Sequence, residues 1–111
     1  MEFKGTPGPW KAIERYVDST DVVDSNGFNH VEVTNLAVLS DWEEKGYAHW
    51  SDSEKAHREI PREEQRANAR LIAAAPDLLN ALINLIEYWK LEETAEAHAA
   101  MIAINKALGR E

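Results

Sequence analysis

The sequence predicts an α+β fold in which a small antiparallel β-meander is followed by a C-terminal helical hairpin. Residues 10–40 contain short runs of alternating polar and apolar side chains, separated by turn-forming residues. Residues 61–111 instead place apolar side chains three and four positions apart, which is the period of an amphipathic helix. Residues 41–60 follow neither period. We therefore predict a single domain over residues 1–111, with the meander in 1–40, a loop or flap in 41–60 and the hairpin in 61–111.

The meander is predicted from three alternating runs. The first follows a rigid Pro-Gly-Pro lead-in and covers residues 10–17. The second covers residues 21–24, and Ser25-Asn26-Gly27 then supplies a hairpin turn because asparagine and glycine tolerate positive φ. The third covers residues 30–34. Residues 36–39 either extend the third strand or form a fourth.

The connecting segment 41–60 holds aromatic residues among many charges. Trp42, Tyr47 and Trp50 lie in it, with Gly46 as a breaker. A long segment of this composition is typical of a functional loop or a partly ordered flap.

The helical half is interrupted by Pro76, which leaves two alternatives. Either one helix is kinked near Ala75, or a helix stops there and restarts with Pro76 in its first turn. The apolar stripe continues to about residue 91, a turn follows at 91–94 with Thr94 as a cap, and Gly109 ends the last helix. We expect the apolar side of the hairpin to pack on the sheet or on another copy of the chain.

Composition restricts the function. The net charge is −8, which opposes general binding to DNA or RNA because that affinity depends on many lysine and arginine contacts. Without cysteine, disulfides, thiol catalysis and thiolate metal sites are excluded. No apolar run approaches about 20 residues, so no membrane span is predicted, and the expected location is the cytoplasm.

An arginine row is the first candidate binding feature. Arg62, Arg66 and Arg70 are four residues apart, which places them on one helix face, and guanidinium groups bind phosphate through paired hydrogen bonds. The alternative is a solvated face whose arginines pair with nearby acidic residues, namely Glu59, Glu63, Glu64 and Asp77.

Aromatic and amide side chains complete the candidate ligand-binding set. Trp10, Trp42 and Trp50 can stack on bases, Asn68 can bond a base edge, and Lys11 adds a cation beside Trp10. Core packing is the alternative for Trp10, and bonding to a neighbouring backbone is the alternative for Asn68. The sequence shows no histidine pair, phosphate loop or nucleophile motif, so we predict no enzyme, no metal and no cofactor.

Two motifs resemble a widespread family of short bacteriophage proteins. They are Thr6-Pro7-Gly8-Pro9-Trp10 and the run from Ala67 to Leu79, which reads ANARLIAAAPDLL. The resemblance covers roughly residues 5–85, and the two motifs are its specific part. The small, acidic, cysteine-free build also resembles phage counter-defence proteins, in particular the anti-CBASS nucleotide sponges.

That second resemblance implies a function. Such sponges are oligomers that bind a cyclic-nucleotide immune signal without cleaving it, so the ligand here would be a cyclic dinucleotide such as cGAMP, held in the host cytoplasm by a dimer or tetramer. Arginines would meet phosphates, and Trp10 or a loop aromatic would stack on a base. The alternative is an acidic inhibitor that masks a basic patch on a host defence protein, using a cluster of acidic residues in the connecting segment, namely Asp41, Glu43, Glu44, Asp52 and Glu54.

Overall fold

A computed structural model describes residues 2–89 and 94–110 of the chain. Three strands, β1 (Lys11–Tyr16), β2 (Ser19–Val23) and β3 (Asn29–Thr34), form an antiparallel sheet in the order β1-β2-β3. Two helices follow, α1 (Arg62–Trp89) and α2 (Ala95–Leu108). The predicted α+β fold, a meander followed by a helical pair, is confirmed.

The turn between β2 and β3 is organised by one carboxylate. Asp24 Oδ1 accepts hydrogen bonds from the backbone N–H groups of Asn26 and Phe28 at 2.9 and 3.0 Å, and Gly27 has a φ of 87°. Asp24 Oδ2 also receives a hydrogen bond from His30 Nε2 at 2.9 Å. The predicted Ser25-Asn26-Gly27 turn is therefore present, and Asp24 is the residue that holds it together.

A second, two-stranded sheet corrects the prediction for the connecting segment. Strand β4 (Leu36–Val38) does not extend β3 but pairs antiparallel with β5 (His57–Glu59), inside a region predicted as loop. A 3₁₀ helix (Trp50–Asp52) lies between them in the chain. The fourth strand that residues 36–39 offered as an alternative is therefore present as β4, whereas β5, three residues long, is too short for a period of two to be recognised in the sequence.

Helix α1 runs without interruption through Pro76, so the restart alternative is wrong. A proline inside a helix loses one backbone hydrogen bond, a cost that packing must offset. Pro76 is buried, and it lines a small apolar cavity together with Phe3 and Trp10 from the N-terminal segment. Contacts made by residues distant in sequence therefore stabilise the helix at this position.

The predicted ends of α2 are confirmed. Thr94 is its N-cap, and its Oγ1 accepts a hydrogen bond from the Ala97 N–H at 3.0 Å. Gly109 ends the helix with a φ of 74°. The turn predicted at residues 91–93 lies outside the described part of the chain.

The core between the helices uses only part of the predicted apolar stripe. Ile83 and Ile86 of α1 are buried against Ala97 and Ile104 of α2. Leu78 and Leu85, which belong to the same stripe, remain 53% and 47% exposed. The stripe is therefore divided between a face that packs inside the chain and a face that does not.

The N-terminal half of α1 packs on the sheet. All five residues of β2 are buried, as are Gln65 and Ala69 on the facing side of α1. Gln65 accepts a hydrogen bond from Thr20 Oγ1 at 3.1 Å and donates one to the Val33 carbonyl at 2.8 Å. One buried amide thus ties α1 to both β2 and β3.

Within the described residues, α1 is the helix long and apolar enough to cross a membrane by length and composition alone. The prediction of no such segment considered only uninterrupted apolar runs. The same helix buries Ala69 on the sheet and Ile83 and Ile86 on α2, as the core helix of a folded domain does.

Candidate functional site

An open groove lies between strand β1 and helix α1. Its volume is about 550 Å³, and β1 is an edge strand, so the groove opens at the edge of the sheet. We call it the basic groove, and it is lined by Lys11, Ala12, Ile13, Glu14, Thr20, Arg66 and Arg70.

The register of the sheet explains why polar side chains converge there. Glu14 pairs with Thr20 across β1 and β2, so the two side chains lie on the same face of the sheet. Thr20 bonds Gln65 of α1, which shows that this face is the one packed on the helix. Arg66 and Arg70, one and five positions further along α1, therefore stand over β1.

The groove carries more positive than negative charge. Arg66 forms an ion pair with Glu14 through its Nε. Lys11 and Arg70 form no hydrogen bond or ion pair through their side chains with any residue in the described ranges. Both cations consequently remain available to an anion, in a chain whose overall charge is −8. Arg70 approaches from α1, whereas Lys11 lies on edge strand β1 and points to the sheet face opposite Glu14.

Arg62 of the predicted row, and Arg58 outside it, act as structural ties. Arg62 donates to the Val17 carbonyl at 2.6 Å and so holds the β1–β2 turn to α1. Arg58 of β5 forms an ion pair with Glu64 at 2.5 Å; hydrogen bonding within this pair raises the pKa of Arg58 and lowers that of Glu64. In the described part of the chain, the row does not form the predicted pairs with Glu59, Glu63 and Asp77.

Trp10 lies outside the basic groove. Its ring is stacked on His30 at a centroid distance of 5.8 Å, and it lines the apolar cavity beside Pro76. Its indole Nε1 is buried and has no hydrogen-bond partner among the described residues. Trp10 therefore packs inside the chain, which is the alternative to stacking on a base.

The two loop tryptophans form a separate aromatic cluster. His49 lies 5.4 Å from Trp42 and 5.2 Å from Trp50, measured between ring centroids. His57 stands edge-on to Trp50 at 5.6 Å and hydrogen-bonds the Trp50 carbonyl through Nδ1 at 3.1 Å. Neither tryptophan lines the basic groove. No three His, Asp or Glu side chains within residues 2–89 and 94–110 are arranged to hold a metal ion.

Of the eight predicted ligand-binding residues, the structure therefore brings Lys11, Arg66 and Arg70 together. Asn68 is exposed on α1 but does not line the groove. The sequence analysis missed Glu14 and Thr20, which do. Glu14 lies in the first predicted run, whereas Thr20 precedes the run predicted at residues 21–24, and placing both beside α1 requires the register between β1 and β2.

The two motifs that carry the bacteriophage resemblance contact each other. A Cβ placed on Gly8 would lie 2.9 Å from Asp77 Oδ1 and 3.1 Å from the Pro76 Cβ. Glycine permits this close approach of the N-terminal segment to α1, and a larger residue would require Asp77 and Pro76 to shift. The motifs therefore form an internal contact next to Trp10, and the second motif also contributes Arg70 to the basic groove.

The fold and groove define a small α+β domain with a solvent-open groove lined by three basic residues. The chain belongs to a bacteriophage protein family: the sequence model of the family described as Salmonella phage P22 protein Y8K6 matches residues 1–111. This confirms the predicted bacteriophage family. The searches of curated proteins and of solved structures found no match.

Proposed function

We propose that this phage protein captures a small phosphate-bearing ligand in the basic groove and does not chemically alter it. The observation that carries the proposal is the pair of uncompensated cations, Lys11 and Arg70, at one groove of a strongly acidic chain. A guanidinium binds phosphate through two parallel hydrogen bonds, and an ammonium binds it as a compact charge.

Within that class, a cyclic dinucleotide such as cGAMP fits the groove best. Such a ligand carries two phosphates, which matches two available cations, and Ala12, on the same sheet face as Glu14, supplies apolar surface beside them. Capture without cleavage would withhold an immune signal from a host effector in the cytoplasm. The role is counter-defence, consistent with membership of a phage family.

Titration calorimetry with a panel of cyclic dinucleotides tests the proposal. We expect micromolar or tighter binding by at least one of them, weakening as salt is raised because the contacts are charged and partly exposed. Inorganic phosphate serves as a probe of the anion site alone. Absence of heat with every cyclic dinucleotide at millimolar concentration would refute the assignment.

A charge-matched pair of double variants identifies the groove as the site. Lys11→Ala with Arg70→Ala should raise the Kd by about 10- to 100-fold per lost contact, since a hydrogen bond to a charged group contributes about 1.5–3 kcal/mol. Lys45→Ala with Lys106→Ala removes the same charge from exposed positions outside the groove. Equal loss in both double variants would indicate a nonspecific charge effect.

Recovery of the ligand tests capture without chemistry. After incubation with the bound cyclic dinucleotide, heat-released material should have an unchanged mass. Appearance of linear dinucleotide or mononucleotide over time, dependent on the protein, would assign an enzymatic function instead.

A second candidate function is supported by the acidic connecting segment. Glu43, Glu44 and Glu54 are exposed there, close in sequence to the aromatic cluster. This surface would mask a basic patch on a host defence protein. Pull-down from host lysate with the native chain and with Glu43→Lys/Glu44→Lys distinguishes the two functions, because only the protein-binding function predicts a partner that the charge-reversed variant fails to retain.

A further inference from the structure

Helix α1 exposes a regular apolar row that its own chain does not cover. Leu71, Leu78 and Leu85 are seven residues apart and are 64%, 53% and 47% exposed. Ala75 and Leu82 lie between them, which gives alternating spacings of four and three, and Leu82 also packs partly against the core between α1 and α2. This is the heptad pattern by which one helix packs on another, with Leu71, Leu78 and Leu85 in the d positions and Ala75 and Leu82 in the a positions.

The row is continuous with an apolar groove on α2. Leu71, Leu78 and Leu82 line a groove of about 370 Å³ together with Ala103 and Ala107 of α2. Small residues on α2 permit a further helix to approach closely. The surface therefore forms a groove between two antiparallel helices, into which a third helix can pack.

The single chain is also less compact than its size predicts. Its accessible surface is 8183 Å², whereas a folded monomer of 12.5 kDa exposes about 6,200 Å². Its radius of gyration is 17.7 Å, against about 13 Å for a compact chain of this length. The excess surface is comparable with what one copy contributes to a subunit interface.

We propose that α1 forms a parallel, two-fold symmetric dimer with α1 of a second copy through this seam, defined as Asn68, Leu71, Ala75, Leu78, Leu82 and Leu85. Asn68 occupies the a position one heptad before Ala75. Its side chain is exposed and forms no hydrogen bond within the described residues.

A lone asparagine at an a position fixes register and copy number in parallel helix pairs. In the dimer the two Asn68 amides face each other, where each donates to and accepts from the other.

This dimer leaves the basic groove accessible. Arg70 immediately precedes Leu71 on α1, and successive side chains on a helix point about 100° apart. The seam and the arginines consequently lie on different flanks of the helix. Dimerisation and ligand capture are thus separable properties, and each copy contributes its own groove.

Sedimentation equilibrium of the full chain, from micromolar to millimolar concentration, tests the dimer. The native chain should sediment at twice the 12.5 kDa mass. Leu78→Glu should weaken association by about 100-fold, because each copy loses one apolar contact and gains a buried charge. Phe28→Glu introduces the same charge at an exposed apolar residue outside the seam and should leave the dimer intact. A native chain that is monomeric throughout, or a Leu78→Glu variant that dimerises as well as the native chain, would overturn the proposal.

Cross-linking tests the register and the occupant. The chain has no cysteine, so Asn68→Cys should give a single disulfide-linked dimer on mild oxidation, and Leu78→Glu in the same chain should abolish it. A native dimer whose Asn68→Cys variant does not cross-link would overturn the parallel arrangement. Flotation with phosphatidylcholine vesicles tests whether a lipid surface covers the seam instead. If the seam is a dimer interface, the protein should stay in the dense fraction. Flotation of the native chain that is lost in Leu78→Glu would overturn the proposal.

Discussion

Replacement of Gln65 by alanine should destabilise the fold by about 2–4 kcal/mol. The side chain is 2% exposed and makes two hydrogen bonds, one with Thr20 on β2 and one to the Val33 carbonyl on β3. Each bond contributes about 0.5–1.5 kcal/mol net, and truncation in addition leaves a cavity and a buried hydroxyl without its partner.

Urea denaturation at fixed protein concentration measures this loss. A domain of this size has a stability of about 5–15 kcal/mol, so the variant should unfold at a clearly lower urea concentration with an unchanged slope. Glu63→Ala, an exposed position two residues before Gln65 on α1, should stay within about 0.5 kcal/mol of the native chain.

A double-mutant cycle with Thr20→Val isolates the contact between helix and sheet. The Thr20–Gln65 bond can be lost only once. The loss of unfolding free energy in the double variant should therefore be about 0.5–1.5 kcal/mol smaller than the sum of the losses in the two single variants. Strict additivity, or a Gln65→Ala variant as stable as Glu63→Ala, would refute the assignment of Gln65 as the tie between α1 and the sheet.

Three further perturbations test the packing and the turn. Gly8→Ala should cost about 1–3 kcal/mol because its Cβ would lie 2.9 Å from Asp77 Oδ1, and thermal melting measures this. Ile104→Ala, at a fully buried position between the helices, should cost about 2–5 kcal/mol in urea denaturation. The pKa of Asp24 lies below its usual 3.8, chiefly because His30 donates to it. Its contribution to stability is therefore present above that pH and is lost as the pH falls below it. Asp24→Asn should accordingly show a smaller drop in melting temperature between pH 6 and pH 3 than the native chain.

Each of these has an internal control. Asp77→Ala should restore part of the stability lost in Gly8→Ala if the contact between the added Cβ and Asp77 Oδ1 causes that loss. Ile102→Ala removes the same atoms from a position that is 57% exposed, and it should cost far less than Ile104→Ala. For Asp24, an identical acid response in the native chain and in Asp24→Asn would show that the carboxylate is not stabilised by His30.

Local signals predicted most of the secondary structure. The Ser25-Asn26-Gly27 turn, the cap at Thr94 and the stop at Gly109 depend on residues within a few positions of each other, so the sequence displays their cause directly. The small second sheet was missed because Leu36–Val38 and His57–Glu59 pair across some 20 residues and are too short to show a period. The continuity of α1 at Pro76 was left open because its cause, packing by Phe3 and Trp10, lies far away in the chain.

The candidate site was predicted only in part for the same reason. Periodicity placed Arg62, Arg66 and Arg70 on one helix face, but it gave no information about which residues each side chain would contact. Arg62 meets the Val17 carbonyl and Arg66 meets Glu14, which leaves Arg70 beside Lys11 in the groove. These outcomes depend on the register of β1 against β2 and on how α1 lies over the sheet.

The sequence by itself determined the fold class, the exclusion of cysteine chemistry and the order of the three meander strands and the two helices, because composition and short-range periodicity encode them. Only the tertiary structure decided which cations are left without partners and which leucines stay exposed. Charge pairing and burial are set by residues that are distant along the chain and adjacent in space, and no local pattern records that adjacency.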